Sequence, residues 1–293
     1  MAKQTARIRW AIPLMTGAAA LVAATSLFAK ALGIDGGDAG LHPFQISAGR
    51  FLFGLSAICL ILLARPTMRP TFENTRWDWH MARSLCGWLG VTAMFAAVAR
   101  MPVAEATAIS FLNPLVTMGL AVLLLGEHLG RRKIIAALLA VAGAVLILRP
   151  GTEAFRSAGL FALAAAGFLG LEAIFIKRLS DREPPLRILL INNSIGAVVS
   201  LTVASFVWIW PSQWQWTLLA CLGVVMVCGQ ALFIQAMKRG EASLVIPAFY
   251  SALVFAALFD FALYRVVPGW TAIVGGALIL FATVMLSRAQ PSN

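Results

Sequence analysis

The sequence predicts an all-α membrane protein in which ten transmembrane helices form two inverted five-helix repeats. Three observations lead to this fold class: an extreme apolar composition, ten separate apolar runs, and a second half that repeats the apolar pattern of the first. Of the 293 residues, 60% are hydrophobic and 12% are charged. A soluble domain has roughly 45–50% apolar and about 25% charged residues. We therefore expect a lipid bilayer to surround most of the apolar surface.

Ten apolar runs are close to the ~20 residues that an α-helix needs to cross a bilayer. The runs are continuous, whereas the strands of an outer-membrane barrel alternate apolar and polar residues over ~10 positions. The predicted helices lie near 10–32, 43–64, 79–98, 102–125, 133–149, 158–178, 185–207, 217–237, 242–264 and 268–287. The connections between them are short and leave no room for a soluble domain.

The first run has some features of a signal peptide. It follows Lys3, Arg7 and Arg9, and Ala29-Lys-Ala31 weakly resembles a cleavage site. The apolar region of a signal peptide is only about 7–15 residues long, whereas this run is long enough to cross the bilayer. We therefore predict that it is retained as the first helix.

Lys and Arg are distributed unequally between the two predicted faces of the membrane. With a cytoplasmic N-terminus, 17 of the 23 basic residues lie at inner helix ends and 5 at outer ends, and Arg50 lies within a helix. Short loops rich in Lys and Arg remain in the cytoplasm. The distribution predicts a multi-pass protein of the cytoplasmic (inner) membrane with both termini in the cytoplasm.

The two halves of the chain share an apolar pattern but not their charges. Residues 94–148 align with 232–286 at a constant offset of 138, and Arg131-Arg132-Lys133 then falls on Gly269-Trp270-Thr271. Each half has five predicted helices, and an odd number makes the second copy start from the opposite side of the membrane. We predict an N-terminal repeat over 1–150 and an inverted C-terminal repeat over 151–293, an architecture typical of transporters.

The chain resembles the EamA family of drug/metabolite transporters. The resemblance is carried by Phe111-Leu-Asn-Pro114 and Leu125-Gly-Glu127 in the fourth helix region and by Ala142-Gly143-Ala144 in the fifth helix. The second half departs from the pattern, with Tyr264-Arg265 in place of Gly-Glu. The resemblance implies a secondary carrier or facilitator that moves small metabolites, often amino acids, outward. Within the family, the chain is similar to exporters of aromatic amino acids.

Glu172 is the first candidate for substrate binding, because a charge near the centre of a transmembrane helix costs at least ~2.5 kcal/mol. Phe168 and Phe175 lie at i−4 and i+3 on the same helical face. A carboxylate between two rings would suit an ammonium group, or carry a coupled proton. The alternative is an ion pair with Lys30, Lys177 or another helix.

Aromatic and amide side chains provide further candidates. Eight of the nine tryptophans fall at predicted helix ends, where amphipathic rings favour the membrane interface. Trp88 lies mid-span and either stacks on a substrate or packs between helices. In the eighth helix, Gln230 and Phe233 either face the substrate or join neighbouring helices.

Two prolines within predicted helices are candidate hinges. Pro114 in the fourth helix and Pro247 in the ninth each remove a backbone hydrogen bond. Close to them lie four candidate substrate-binding residues, Ser110, Asn113, Tyr250 and Ser251. Near the start of the second helix, Arg50 has three possible roles: to reach the membrane surface, to pair with Glu105, or to bind a substrate carboxylate.

The sequence argues against several other classes of protein. It contains no GxxxxGK[ST] pattern, so the chain is not itself an ATPase, and no HExxH, CxxC or GxSxG pattern that would indicate a metal centre or a hydrolase. Although the net charge is +11, the basic residues lie in short clusters between apolar runs, which does not favour nucleic-acid binding.

We therefore predict a non-enzymatic secondary transporter without cofactor or metal, either a facilitator or a proton-coupled exporter, that works by alternating access. The expected substrates are small metabolites, chiefly amino acids and aromatic ones among them. A flippase or efflux protein for lipids or amphipathic drugs is the alternative. The sequence leaves open whether the protein is a monomer or a homodimer.

Overall fold

The computed structural model describes residues 10–33, 40–98, 106, 109–148, 158–265, 267 and 269–287, and these contain helices and no strands. The described chain forms ten helices: α1 (Ala11–Gly33), α2 (Pro43–Ala64), α3 (Trp77–Val98), α4 (Asn113–Leu125), α5 (Arg131–Leu148), α6 (Ala158–Arg182), α7 (Pro185–Ala204), α8 (Gln213–Arg239), α9 (Ala242–Val245 and Ser251–Tyr264, joined by the 3-10 turn Ile246–Tyr250) and α10 (Trp270–Ser287). Further short 3-10 turns occur at Pro66–Met68 and Ser205–Val207.

The structure confirms an all-helical membrane protein, and its helix count agrees with the predicted ten. Six helices are long and apolar enough to cross a membrane, namely α1, α2, α6, α7, α8 and α9, while α4 and α10 are shorter apolar helices. α8 begins at Gln213, four residues before the predicted start. There Ser212 and Gln215 form a capping box, in which each side chain accepts a hydrogen bond from the other residue's backbone N–H.

Two of the predicted helices are interrupted at their prolines. Pro114 occupies the first turn of α4, after a break at Phe111 and Leu112, and Pro247 lies in the 3-10 turn of α9. Proline has no backbone N–H, and its ring clashes with the preceding turn. The chain therefore restarts its helical hydrogen bonding after each proline instead of running straight through 102–125 and 242–264.

Helices of one half pack against helices of the other half. The main contacts stay the same when each helix is replaced by its repeat partner, five helices along the chain. α1 packs against α8 as α6 packs against α3, and α9 packs against α1 as α4 packs against α6. α2 packs against α7, α4 against α9 and α5 against α10. An inverted repeat would produce this pattern, although the inversion itself remains a prediction.

The contact between α5 and α10 depends on two glycines. A Cβ atom at Gly143 would lie 2.5 Å from the Gly275 carbonyl oxygen, and a Cβ atom at Gly275 would lie 2.5 Å from the Gly143 carbonyl oxygen. In a membrane, helices gain van der Waals contact by close backbone approach, which small residues permit. The Ala142-Gly143-Ala144 segment is thus a helix-crossing point.

We call the end of the molecule that holds the α2–α3, α4–α5, α6–α7 and α8–α9 connections the basic end. Side chains of the largest buried apolar cluster pack close to this end, among them Met15, Leu179, Ile188, Met237 and Leu244. This packing, on helix ends from both halves, leaves the basic end tightly filled.

Polar contacts between the connections also tie the basic end together. The Glu127 carboxylate accepts hydrogen bonds from the backbone N–H groups of Ala242 and Ser243, at 2.7 and 2.8 Å. The Lys133 ammonium pairs with Glu241 and donates to the Ser243 hydroxyl at 3.2 Å. These contacts join the α4–α5 connection to the α8–α9 connection.

A second set of contacts is centred on Glu183, whose side chain is 2% exposed. Its carboxylate accepts from the Arg76 backbone N–H at 3.0 Å, lies 3.0 Å from His80 Nε2 and pairs with Arg187 at 3.8 Å. The α6–α7 connection is thereby attached to the α2–α3 connection, again across the two halves.

Candidate functional site

A cavity of about 500 Å³ lies between the two halves and is lined by α1, α2, α3, α4, α6, α7, α8 and α9. Its lining includes Phe44 and Ser47 in the first turns of α2 and Val203 near the end of α7. The cavity therefore extends toward the end of the molecule opposite the basic end. Its volume falls in the range of about 300–1,000 Å³ that is typical of small-molecule sites.

The lining is mainly apolar and aromatic. Phe233 and Phe249 meet edge to face, with ring centroids 5.8 Å apart, in the part of the cavity nearer the basic end. Ile234 and Ile246 lie beside them in the lining. These side chains separate the cavity from the polar contacts of the basic end.

Of the described residues that line the cavity, three carry a charge: Arg50, Arg83 and Glu172. Arg83 Nε lies 3.7 Å from Glu172 Oε1, an ion pair that is too long for a hydrogen bond. The Arg83 side chain is 1% exposed and that of Glu172 is 21% exposed. Arg83 Nε and Nη1 have no hydrogen-bond partner within the described chain.

Helical spacing explains how α3 and α6 present these groups. Residues 83, 87, 88 and 91 form one face of α3, and residues 169, 172, 173 and 176 form one face of α6. Gly87 leaves room for the carboxylate, because a Cβ atom there would lie 3.1 Å from Glu172 Oε2. The Arg83–Glu172 pair therefore depends on a residue without a side chain between the two helices.

Five of the predicted site residues line the cavity: Trp88, Asn113, Glu172, Gln230 and Phe233. Trp88 is 47% exposed, which leaves much of its indole accessible. The buried Gln230 Oε1 has no hydrogen-bond partner among the described residues. The structure thus collects these side chains around one cavity, while their functions remain predictions.

Phe168 and Phe175 do not line the cavity, and their predicted contact with a bound ammonium group stays a prediction. Both lie on one flank of Glu172, whereas Leu169 and Ile176 lie on the other flank, and α6 turns this second flank toward the cavity. The i−4 and i+3 spacing places the rings near the carboxylate but cannot tell which flank faces inward.

Ser110, Tyr250 and Ser251 also lie outside the cavity lining. The Tyr250 hydroxyl donates to the Phe111 carbonyl oxygen at 2.6 Å and so links the breaks in α4 and α9. The Ser251 hydroxyl donates to the Ala248 carbonyl oxygen at 2.7 Å. A local hydrogen bond such as that of Ser251 satisfies an interrupted helical turn. The Ser110 side chain is buried, 8% exposed.

The partner of Glu172 is Arg83, which in the sequence is one of the basic residues at an inner helix end. Lys177, one of the partners considered, instead donates to Asp181 at 2.8 Å and to the Met237 carbonyl oxygen at 2.9 Å. Arg50 lines the cavity. Its guanidinium carbon lies 4.0 Å from the centre of the Phe51 ring. Glu105, one of its predicted partners, is outside the described residues.

The described ranges contain no group of three His, Cys, Asp or Glu side chains that could hold a metal ion. The four cysteines are free. The charges of the described cavity lining are those of Arg50, Arg83 and Glu172.

The sequence model of the EamA-like transporter family matches residues 9–149 and 156–288. Among curated relatives, the chain is 30% identical over 251 residues to the S-adenosylmethionine uptake transporter of Rickettsia felis, covering 85% of this chain and 84% of the relative. It is 27% identical over 212 residues to the pseudopaline exporter CntI of Pseudomonas aeruginosa (72% and 75% covered). It is 25% identical over 236 residues to the riboflavin transporter of Vibrio cholerae (79% and 79% covered).

A solved crystal structure of a protein superposes on the chain with a TM-score of 0.78 and 23% identity. The superposition covers 95% of this chain and 98% of the other. At this identity the likeness shows a shared fold alone.

Proposed function

The chain belongs to the EamA-like transporter family, and we propose that it is a secondary transporter that moves small metabolites through the cavity between its two halves. The family and the three relatives described above are transporters, in agreement with the predicted non-enzymatic function. We further propose that amino acids, including aromatic ones, are the substrates.

The observation that carries this proposal is a ligand-sized cavity that contains three charged side chains at membrane depth. Charged groups within transmembrane segments are costly and mark substrate or ion pathways. Arg50, Arg83 and Glu172 come from helices of both halves, so relative movement of the halves would change their surroundings. A purely structural core would have to bear the desolvation cost of these charges.

The chemistry of the lining supports an amino acid as the substrate. Glu172 and the unpartnered Gln230 Oε1 can accept hydrogen bonds from an ammonium group, and Arg83 can donate to a carboxylate. Trp88, Phe51 and Phe233 offer aromatic surface for an apolar side chain. The names of the relatives, for S-adenosylmethionine, pseudopaline and riboflavin, indicate that proteins of this type carry diverse metabolites.

Alternating access is the mechanism we propose, with 1–150 and 151–293 as the two inverted repeats. The filled basic end and the cavity that extends away from it favour a state open toward the opposite side. The interrupted helices α4 and α9 provide the hinges. Because the relatives include an uptake transporter and an exporter, the direction of transport would follow from the substrate gradient and any coupled proton.

A flippase or efflux protein for lipids or amphipathic drugs is the alternative function. A lipid path needs an apolar opening toward the bilayer, whereas the described lining holds three charged side chains and an amide oxygen without a partner among the described residues. This lining favours a polar solute over a lipid tail.

Transport by the purified chain in proteoliposomes tests the proposed function. The panel is L-phenylalanine, L-methionine, S-adenosylmethionine, riboflavin and phenethylamine, each measured with and without a pH gradient. We expect saturable flux of at least one amino acid above that of protein-free liposomes.

A fluorescent-lipid scrambling assay on the same preparation distinguishes the alternative. Lipid scrambling without flux of any compound in the panel would contradict the metabolite transporter and support the flippase. A response to the pH gradient separates the proton-coupled exporter from the facilitator.

A further inference from the structure

We propose that Arg83, together with Arg50, is the receptor for a carboxylate group of the transported solute, while Gln230 and Glu172 accept hydrogen bonds from the solute's N–H groups. The inference rests on the proposed transport function and narrows its substrates to solutes that carry a carboxylate. A zwitterionic amino-acid head group is the simplest solute that satisfies both parts of the site.

The first support comes from the hydrogen-bonding state of Arg83. Its side chain is 1% exposed, lines the cavity, and has two donor atoms, Nε and Nη1, without a hydrogen-bond partner in the described part of the chain. The Glu172 carboxylate, at 3.7 Å, satisfies neither donor. Buried guanidinium donors are normally bonded, so the described residues leave these two donors available to an acceptor that enters the cavity.

Charge balance indicates which acceptor is missing. The charged lining residues within the described chain are two arginines and one glutamate, so the cavity has an excess of one positive charge when Glu172 is ionised. The carboxylate of a zwitterion can face the two arginines while its ammonium group faces Glu172, which places each charge next to its opposite. The planar guanidinium also matches carboxylate geometry.

The two arginines lie at different depths in the cavity. Arg50 is in the second turn of α2, nearer the end toward which the cavity extends, and Arg83 is in the second turn of α3, nearer the basic end. Both arginines line the same cavity as Glu172. A carboxylate that enters the cavity would meet Arg50 first and reach Arg83 at the level of Glu172.

Gln230 supplies the complementary acceptor. Its Oε1 atom is buried in the cavity lining without a hydrogen-bond partner among the described residues. An acceptor and a donor that both line one cavity, each without a partner among the described residues, fit a ligand that has groups of both kinds. An ammonium or amine group next to a carboxylate meets this requirement.

Acid and amide pairs test the inference in binding measurements on the full-length purified protein. L-phenylalanine is compared with L-phenylalaninamide, and L-methionine with L-methioninamide, by the shift each produces in the thermal unfolding midpoint. The amides keep the side chain and the amine but lose the carboxylate. We expect at least one acid to raise the midpoint and its amide to have little effect.

Three variants locate the receptor. Arg83→Gln should raise the KM for the transported acid about tenfold or more, the size expected for a lost charge-assisted hydrogen bond, while leaving the maximal rate within about threefold. Arg83→Lys keeps the charge but not the guanidinium, and should lie between Arg83→Gln and the parent. Arg131→Gln, on an exposed residue at the basic end, is the matched control and should not change KM.

The inference is overturned if the amides stabilise the protein as well as the acids, if neither acid stabilises it, or if Arg83→Gln folds and transports with an unchanged KM. Flux of riboflavin or phenethylamine without flux of any acid in the panel would overturn the carboxylate receptor but leave the transport function intact. Should Arg83→Gln fail to fold, the comparison of acids and amides on the parent protein still decides the matter.

Discussion

At the scale of single residues, the Arg83–Glu172 pair depends on the space left by Gly87. A Cβ atom at position 87 would contact all three terminal atoms of the Glu172 side chain, at 3.1–3.3 Å. Such contacts are tight, so the carboxylate would have to move. Its distance to Arg83 is already 3.7 Å, and a further displacement would weaken the pair.

Gly87→Ala is therefore expected to lower the transport efficiency (Vmax/KM) about tenfold, equivalent to ~1.4 kcal/mol. Glu172→Gln, which removes the charge at nearly constant size, should abolish transport or uncouple it from the pH gradient. The measurement is flux in proteoliposomes at matched protein content.

Gly167→Ala is the matched control for Gly87→Ala, because a Cβ atom at that position of α6 meets nothing within 4 Å. It should retain the transport efficiency within about twofold. Equal losses in the two alanine variants would contradict the role of Gly87, and full pH-driven transport by Glu172→Gln would remove Glu172 from the mechanism.

At the scale of elements, α4 and α9 are interrupted helices that contact each other. The break in α9 contains the 3-10 turn Ile246–Tyr250, and Tyr250 bonds to Phe111 at the break in α4. Ile246 and Phe249 belong to the cavity lining, as does Asn113 at the start of α4. A change in backbone angle at either break would therefore alter the cavity directly.

Replacement of Pro247 by Ala restores a backbone N–H and removes the clash with the preceding turn. We expect α9 to become more continuously helical, with a maximal transport rate about tenfold lower, because the hinge is stiffer. KM should stay close to that of the parent protein, since the cavity side chains are unchanged. The thermal unfolding midpoint should not fall.

Pro66→Ala provides the control, because Pro66 begins an exposed 3-10 turn in the α2–α3 connection. It should leave the rate unchanged. A Pro247→Ala protein with the parent's maximal rate would show that the break in α9 is structural and not a hinge.

At the scale of the whole molecule, the two ends differ. The basic end holds part of the largest apolar cluster and is tied by Glu127, Lys133 and Glu183, each of which contacts the other half. The cavity extends toward the opposite end. With the basic end in the cytoplasm, as Lys and Arg in the short loops predict, this arrangement corresponds to an outward-facing state.

The orientation is tested by fusions to the C-terminus. Green fluorescent protein attached there should fluoresce, and periplasmic alkaline phosphatase attached there should be inactive, because the C-terminus is expected in the cytoplasm. A phosphatase fused in the α7–α8 connection should instead be active. The reverse pattern would contradict the predicted topology.

The sequence by itself determined the membrane class, the ten helices and the family, because these follow from composition, run length and motifs that are read along one chain. Polar or aromatic side chains within apolar runs made five residues candidates for the site. The structure places all five around one cavity: Glu172, Trp88, Gln230, Phe233 and Asn113. A charge or an amide in a transmembrane run is conspicuous without knowledge of its neighbours.

Only the tertiary structure decided which partner and which flank each residue meets. In the sequence, Arg83 is one of several basic residues at a helix end. Only the packing of α3 against α6 places it next to Glu172. Phe168 and Phe175 share a face with Glu172, yet the rotation of α6 turns Leu169 and Ile176 toward the cavity instead. Periodicity defines the faces of a helix, but the direction of each face is set by contacts with helices distant in sequence.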